Sequence, residues 1–351
     1  MENKHRPKRL LRFLAYLLAV VLLLIGSGLL LGDHLTPKAV GTPSQALPLQ
    51  AQQTLIDRQL QPLLAEHPGK SGAVYLSDGL EAYAARAIIT RQAGRSLDLQ
   101  YYMWHDDLLG HLLAHDVYQA AERGVRVRLL LDDMNAAGLD PQMLALDNHP
   151  NIEIRLYNPF RNRDGLWRLV EMVQRVFSIN HRMHNKAWIA DGRVAIVGGR
   201  NIGAEYFDAR PDVNFRDLDL LLAGPVANDA SSIFDAFWNS DAVVPIAALH
   251  QSSDQQMANF ISQAELDARQ QEAAPYLQRV RAHLSDAYLS KQLGLHWTDG
   301  VRIRSDPPRK PSGGDSSQWL VTRLTEVLHS AEHKSLLISP YFVPGAAGTK
   351  G

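Results

Sequence analysis

The sequence predicts an α/β protein with a mixed, largely parallel sheet flanked by helices and preceded by one N-terminal transmembrane helix. Short apolar strands alternate with helical stretches from position 71 onward, and an Asp-Gly turn at position 191 joins two apolar runs. Strands that alternate with helices are typical of βαβ units, whose strands run parallel. An uncharged apolar run occupies residues 13–31. The chain of 351 residues is long enough for about two domains.

The composition is that of a globular chain without a general affinity for polyanions. Apolar residues make up 46% and charged residues 21%, which excludes a disordered or fibrous protein. Lysine and arginine number 36 against 37 acidic residues, a net charge of −1, so any phosphate or nucleic-acid site must be local. The absence of cysteine excludes disulfides, thiolate metal sites and cysteine nucleophiles.

Residues 1–32 are predicted to be a basic N-terminus followed by a transmembrane anchor. The apolar run has nineteen residues, close to the ~20 that a helix needs to cross a bilayer. A basic cluster precedes the run and none follows it, so the positive-inside rule predicts a single-pass membrane protein with its N-terminus in the cytosol and the residues after 31 on the extracytoplasmic side. The alternative is a cleaved signal peptide, whose apolar region is usually about 7–15 residues long. The cluster consists of Lys4, Arg6, Lys8, Arg9 and Arg12.

The remaining chain divides into four predicted segments. Residues 33–70 are proline-rich and form a spacer with one short helix, and residues 71–247 form a first α/β half. Residues 248–299 form a helical connector, and residues 300–351 begin a second half. In this second half a strand at 301–305, a helix at 318–333 and a strand at 335–343 repeat the earlier order, with Tyr341-Phe342 echoing Tyr101-Tyr102. Because the chain stops soon after a strand that should lead into a helix, we expect this half to be incomplete.

Two signals predict the strands and helices of the first half: the alternation of apolar and polar residues, and residues typical of turns. Asp191-Gly192 is a tight turn between two runs, and Asp-Gly in that setting is a strong hairpin signal. The predicted elements are strands at 97–104, 125–132, 151–157, 183–190, 193–197 and 217–222, and helices at 107–123 and from Gly224-Pro225 through 239.

The pattern H-x-K-x₄-D, formed by His184, Lys186 and Asp191, carries the predicted chemistry. Residues two apart on a strand share a face, so His184 and Lys186 point the same way. An ammonium group offsets the charge of a phosphodiester, and a neutral imidazole can attack its phosphorus. A Gly-Gly-Arg-Asn turn follows the hairpin. We expect Asn201 and the backbone N–H groups around Gly199 to donate to the phosphate oxygens.

Asp191 completes the motif but lies at an odd offset from His184, in the turn. We therefore expect its carboxylate mainly to stabilise the hairpin by bonding its own backbone. An imidazole nucleophile also needs a carboxylate at its other nitrogen, to hold its tautomer and orientation. Asp217 and Asp219 share a strand face just downstream, and Asp217 is the preferred candidate.

Joined to the hairpin and the Gly-Gly-Arg-Asn turn, this motif resembles the phospholipase D superfamily, and the flanking phrases are most similar to its cardiolipin synthase C branch. The resemblance covers most of residues 71–351. It is carried by LQYYMWHDD (99–107), VRVRLLLDDMN (125–135), NIEIRLYNPF (151–160), RMHNKAWIADGRVAIVGGRNIGAEYF (182–207), DLDLLLAGP (217–225) and ISPYFVPG (338–345).

The resemblance implies a phospholipase D-like fold whose active site is built from two H-x-K-x₄-D motifs. One histidine becomes a phosphohistidine, and the other protonates the leaving alcohol and activates the acceptor. Here His184 belongs to the first motif, Lys186 binds phosphate and Asn201 helps. The second motif is absent from the sequence. Some single-motif members complete the site by dimerising, so two copies of His184 are able to meet across a two-fold axis.

The implied function is phosphatidyl transfer that yields cardiolipin. Its substrates are phospholipids, phosphatidylglycerol or phosphatidylethanolamine, and it needs no metal or nucleotide cofactor. One alternative is a phosphodiesterase acting on nucleic acid, which the near-zero net charge and the predicted membrane span disfavour. The other is a truncated, catalytically silent membrane protein.

Three further signals have weaker functional interpretations. His105-Asp106-Asp107 follows a strand and is interpreted as a helix cap rather than part of a cleft. His111 and His115 lie four apart on a helix but lack the H-E-x-x-H pattern of a metal site. A basic stretch is either a solvated face or a surface for anionic headgroups. It contains Arg161, Arg163, Arg168 and Arg175.

Overall fold

The fold is given by a computed structural model, which forms a nine-stranded sheet in the residues that it describes. The described residues are 11–21, 23, 26–27, 41–135, 140–160, 171, 182–249, 254–308 and 319–336. The chain divides into two compact units, residues 1–303 and residues 304–351. The whole sheet and the H-x-K segment belong to the first unit.

The sheet is mixed. Its strands are β1 Ser71–Leu76, β2 Ser96–Tyr101, β3 Arg126–Asp132, β4 Ile152–Tyr157, β5 Ala187–Ala190, β6 Val194–Gly198, β7 Asp219–Ala223, β8 Val243–Pro245 and β9 His296–Thr298. Their order in space is β8-β4-β3-β2-β5-β6-β7-β1-β9. The β2–β3 and β3–β4 pairs are parallel, and the remaining pairs in the described residues are antiparallel.

The expectation of a largely parallel sheet is therefore wrong. The parallel part arises where the sequence alternates strand, helix and strand, between β2 and β4. Beyond it β5 returns antiparallel beside β2 and forms the predicted hairpin with β6, which β7 and β1 extend in antiparallel pairs. Strand spacing along the chain does not reveal which edge of a growing sheet the next strand joins, so the sequence did not disclose this order.

Helices cover both faces of the sheet. They are α1 Leu55–Glu66, α2 Gly79–Gln92, α3 Leu108–Glu122, α4 Asp140–Asp147, α5 Val226–Trp238, α6 Asp254–Asp267 and α7 Ala274–His283 in the first unit, and α8 Leu320–His329 in the second. Successive strand residues point to opposite faces. Leu129 and Leu131 accordingly pack in the cluster with α1–α4, α6 and α7, whereas Leu130 packs with Phe234 of α5 on the other face.

Residues 41–50 run along the α5 face and are held there by buried arginines. Arg128 of β3 pairs with Asp98 at 2.7 Å and donates to the carbonyl oxygen of Ser44 at 3.0 Å. Arg155 of β4 donates to the carbonyl oxygen of Thr42 at 2.5 Å. The helix that follows, α1, is part of the core, and its Ile56 is 0% exposed. The described part of the predicted spacer thus packs tightly on the first unit.

The predicted transmembrane anchor lies only partly within the described residues. Residues 11–21, 23 and 26–27 are helical, whereas positions 22, 24, 25 and 28–31 and most of the basic cluster fall outside the description. Among the helices of the described ranges, none combines the length and the apolar character that crossing a membrane requires. The anchor stays a prediction.

Residues 301–305, predicted as the first strand of a second half, form no strand. Their apolar alternation instead places Ile303 against the cluster around α5, with its N–H 3.4 Å from a carboxylate oxygen of Asp229. The helix predicted at 318–333 is confirmed as the shorter α8. The phrase ISPYFVPG and nearly all of the strand predicted at 335–343 lie outside the described residues.

Candidate active site

His184 and Lys186 meet in a segment that belongs to no strand. The prediction of a strand from 183 is wrong at its start, because residues 182–186 have no regular structure and β5 begins at Ala187. Lys186 Nζ donates to His184 Nδ1 and to the carbonyl oxygen of His184, both at 2.8 Å. The two side chains therefore lie side by side, as the spacing predicted, although a hydrogen bond rather than a strand face holds them together.

Tyr102 lies against both His184 and Lys186. Its ring lies over the imidazole of His184 with centroids 4.4 Å apart, and Lys186 Nζ lies 5.4 Å from its centroid. A cation over an aromatic ring is stabilised by the ring's quadrupole. Tyr102 is not among the predicted site residues. Its signal in the sequence is the aromatic pair Tyr101-Tyr102 at the end of β2, which was interpreted only as a mark of internal repetition.

The electrostatics favour a neutral imidazole beside a charged ammonium group. Burial and then the charge of Lys186 lower the pKa of His184 below its usual value. Burial also lowers the pKa of Lys186 to about 8, against the opposing charges of Asp217 and Asp132. An ammonium group has no acceptor, so Nδ1 of His184 accepts the hydrogen bond and the proton of the neutral ring is on Nε2.

Asp217 and Asp219 occupy different environments. Asp219 is 0% exposed, with Oδ2 2.8 Å from Arg86 Nη2 and 3.5 Å from Arg200 Nη1. Its carboxylate is therefore part of a buried ion pair in the core. Asp217 is only half-buried and lies against Gly199, where a Cβ would come within 2.1 Å of its Oδ1. Any side chain at 199 would displace Asp217, which explains the glycine.

Asp191 does not lie with His184. It is 0% exposed, and its Oδ1 accepts from the backbone N–H groups of Gly94, Arg95 and Ser96 at 3.1, 2.7 and 3.1 Å. These amides lie at the start of β2, next to the hairpin turn that follows the last residue of β5. His184 lies before the first residue of β5, at the other end of that strand. A structural use of this carboxylate was predicted, but its partners are residues 94–96 rather than its own backbone.

Gly199 and Asn201, predicted to bind phosphate, are engaged within the protein. The N–H of Gly199 donates to the carbonyl oxygen of Leu218 at 3.3 Å. Oδ1 of Asn201 accepts from the N–H of Met103 at 3.1 Å, and its Nδ2 donates to the hydroxyl of Tyr206 at 2.9 Å. An amide group has two N–H donors. The bond to Tyr206 uses one of these two donors, and the bond to Met103 holds the chain next to Tyr102.

Asp132 and Arg182 lie next to the His184–Lys186 segment, although neither was predicted as a site residue. Asp132 ends β3, and its Oδ1 lies 3.3 Å from Arg182 Nη1. Among the described residues, Nε and Nη2 of the mostly buried Arg182 have no hydrogen-bond partner. The available signal was position, because sites in α/β sheets form at the carboxyl ends of parallel strands.

The secondary candidates have structural partners. Asp107 caps α3 through the N–H of Gly110 at 2.9 Å, so the helix-cap interpretation is confirmed. His111 lies between Asp106, at 2.5 Å, and Asp267. In the described residues His105, Asp107 and Glu205 bring their ligand atoms within 4.8 Å of one another, an arrangement that can hold a cation. The basic stretch Arg161, Arg163, Arg168 and Arg175 lies outside the described residues.

The chain is similar to several known proteins. A solved structure of phosphatidylserine synthase from Haemophilus influenzae Rd KW20 aligns with a TM-score of 0.41 and 14% identity over 62% of this chain and 48% of that one. An uncharacterized protein of Helicobacter pylori is 31% identical over 289 residues, covering 80% of this chain and 56% of that protein.

Cardiolipin synthase C of Escherichia coli (strain K12) is 40% identical over 300 residues, covering 82% of this chain. The chain spans 60% of the length of that relative. Residues 88–238 match the family described as cardiolipin synthase, PLD-like domain, and this region includes the H-x-K segment and its hairpin. The chain therefore belongs to the phospholipase D superfamily and is cardiolipin synthase-like.

Proposed function

We propose that the chain is a phosphatidyltransferase of the phospholipase D type, that it acts through a phosphohistidine on His184, and that its product is cardiolipin. The observation that carries the proposal is the 2.8 Å contact between a charged Lys186 and a neutral His184. A neutral imidazole is a nucleophile, and an adjacent fixed cation attracts the phosphodiester that it attacks. Cardiolipin synthases among the relatives support a phospholipid as that diester.

The first step forms a bond between a ring nitrogen of His184 and phosphorus and breaks the bond to the leaving alcohol. An anionic phosphate oxygen is a stronger hydrogen-bond acceptor than a neutral imidazole. When the diester binds, the Lys186 ammonium group therefore donates to a phosphate oxygen instead of to Nδ1 of His184. A carboxylate that accepts from Nδ1–H then favours the tautomer with a free lone pair on Nε2. We assign that carboxylate to Asp217, because Asp219 and Asp191 are already bound elsewhere.

The leaving alkoxide needs a proton, and the acceptor hydroxyl must later lose one. A second histidine supplies both steps, as acid and then as base. In a homodimer, His184 of a second copy of this chain fills that role across a two-fold axis. In a longer form of the protein, a second H-x-K-x₄-D motif fills it. The hydroxyl of phosphatidylglycerol then attacks phosphorus, cardiolipin leaves and His184 is regenerated.

A membrane anchor at residues 13–31 suits a phospholipid substrate, phosphatidylglycerol or phosphatidylethanolamine. Thr42 and Ser44 are bound to the buried arginines Arg155 and Arg128. The nine residues between positions 31 and 41 make ten Cα–Cα steps, which span at most about 35 Å when the chain is extended. The anchor would thus keep the site close to the bilayer, on the extracytoplasmic side of the inner membrane.

The experiment that tests this function offers two substrates to the purified full chain. Labelled phosphatidylglycerol in vesicles and supercoiled plasmid DNA are incubated separately, and the products are separated. We expect labelled cardiolipin and intact plasmid. Nicked DNA without labelled cardiolipin would replace the proposal with a nucleic-acid phosphodiesterase.

The pH dependence of phosphohistidine formation should be bell-shaped. As the pH rises through about 8, Lys186 loses its proton and with it the attraction for phosphate, so the rate should fall. As the pH falls below the lowered pKa of His184, the ring is protonated and loses its nucleophilic lone pair. Measured between pH 5 and pH 10, the Lys186→Arg variant should lose the alkaline limb, since arginine stays charged. An alkaline limb that persists in this variant would assign it to another group.

Replacing the two acids should affect different properties. Asp217→Asn should slow phosphohistidine formation far more than Asp191→Asn, because of these two acids it is Asp217 whose charge acts on Lys186. Asp191→Asn should instead lower the free energy of unfolding by roughly 1–3 kcal/mol, because it weakens the buried bonds to residues 94–96. Label incorporation and urea denaturation measure the two effects. The reverse ranking of label incorporation would refute the assignment of Asp217.

A further inference from the structure

The segment that carries His184 and Lys186 lacks the support that a sheet provides. The ladder between β2 and β5 begins at the pair Gln100 and Ala187, one residue after Lys186. Residues 182–186 therefore depend on side-chain contacts for their position. Reactive groups have to be held to within a fraction of an ångström for efficient chemistry. The residue that anchors this segment thus controls the geometry of the pair.

The carboxylate of Asp132 makes that contact. Its Oδ2 accepts from the N–H of Met183 at 2.8 Å, and its Oδ1 accepts from the N–H of Met134 at 3.0 Å. Asp132 is 0% exposed and is the last residue of β3, so its own position is set by the sheet. It links the rigid end of β3 to the residue immediately before His184.

A second contact strengthens the link. The Nε2 group of Gln100 in β2 donates to Sδ of Met183 at 3.0 Å, so Met183 is held by its side chain and by its backbone. Arg182 reaches the same carboxylate through Nη1, at 3.3 Å. Two consecutive residues of the segment are thereby attached to one buried acid.

We propose that Asp132 is a positioning residue, which fixes residues 182–186 against the end of β3 and so holds Lys186 beside His184. Its catalytic consequence rests on the proposed function, but the positioning itself does not.

The charges around Asp132 agree with this role. Burial raises its pKa to about 6, against the opposing effects of Arg182 and of the N–H groups of Met183 and Met134. At neutral pH the group is therefore mostly ionised. The negative charge of Asp132 acts on both Arg182 and Lys186. It raises the pKa of Lys186, although by less than the charge of Asp217 does. Removing the charge should make Lys186 easier to deprotonate.

The test compares Asp132→Asn with Asp147→Asn in the full chain. Asp147 is a matched control, because its pKa is also raised to about 6 by burial and its Oδ1 accepts a backbone N–H, that of Ile154, at 2.6 Å. Competitive acylation of lysines, followed by peptide mapping, gives the pKa of Lys186. We expect Asp132→Asn to lower this pKa by roughly one unit and to leave the fold intact, whereas Asp147→Asn leaves it unchanged.

Amide hydrogen exchange supplies a second measurement. Asparagine replaces one of the two acceptor oxygens by an amino group, so the N–H of Met183 or Met134 should exchange at least about tenfold faster in Asp132→Asn. An unchanged Lys186 pKa together with unchanged exchange at both amides, in a folded Asp132→Asn variant, would overturn the proposal.

A measurement on the unmodified chain applies even if the variant does not fold. An amide proton that binds a carboxylate shifts when that carboxylate takes a proton. The amide proton resonances of Met183 and Met134 should therefore titrate together, with a midpoint near the Asp132 pKa of about 6. Absence of this common inflection would contradict the proposal. None of these measurements requires turnover, so a chain that forms no phosphohistidine but shows these shifts would refute only the proposed function.

Discussion

The His184→Gln variant should lose phosphohistidine formation by a factor of about 10⁴ or more while keeping its fold. Removing the nucleophile of a covalent mechanism leaves only the binding and electrostatic contributions to the rate. Glutamine retains polar contacts beside Lys186 but has no nitrogen lone pair that can attack phosphorus. Since His184 is exposed, its replacement should change the free energy of unfolding by less than about 1 kcal/mol.

Label transferred from phospholipid to the denatured chain measures this effect, and a bond that is labile to acid but stable to alkali identifies phosphohistidine. His115→Gln is the matched control, because His115 is a partly exposed histidine on α3 whose described contact is Gln119 at 3.5 Å. It should incorporate label at the unmodified rate. Undiminished label in His184→Gln would mean that another residue is the nucleophile.

The Arg86→Met variant should lower the free energy of unfolding by about 3–5 kcal/mol, because it leaves a buried carboxylate without its main partner. Arg86 is 1% exposed, and its Nη2 lies 2.8 Å from Oδ2 of Asp219. Its Nε also donates to the hydroxyl of Tyr101 at 3.0 Å. Arg200 Nη1, at 3.5 Å from the same carboxylate, is too distant to replace these bonds.

Urea denaturation followed by tryptophan fluorescence measures the loss. Arg210→Met removes an exposed ion pair with Asp212 and should have no measurable effect on the same midpoint. The double variant Arg86→Met/Asp219→Leu should recover part of the stability, because it removes the uncompensated charge. A loss below about 1 kcal/mol in the single variant would show that Arg200 compensates for Arg86.

The strands and helices of the first unit could be predicted because their signals are local. Apolar alternation located β3 and β4 to within one residue, and Asp191-Gly192 marked the hairpin, where both residues adopt positive φ of 55° and 65°. The pairing order could not be predicted in this way. It depends on which sheet edge is free when each strand docks, and no local pattern records that.

The candidate site shows the same division. Their spacing predicted that His184 and Lys186 lie together, on the assumption of a strand. They do lie together, but a hydrogen bond in a segment without regular structure joins them. Spacing placed Asp217 and Asp219 on one face but could not separate their roles. Arg86, which is 133 residues away in sequence, makes Asp219 a core ion pair.

By itself the sequence determined the α/β class, the superfamily and the proximity of His184 and Lys186, since each depends on residues close together in the chain. Only the tertiary structure decided the antiparallel pairing of β5, the use of Asp191 by residues 94–96 and the attachment of Met183 to Asp132. The physical reason is that burial and hydrogen-bond partners are set by residues that folding brings together from distant parts of the chain. In the sequence alone, a carboxylate buried beside an arginine looks the same as a half-buried carboxylate near a lysine.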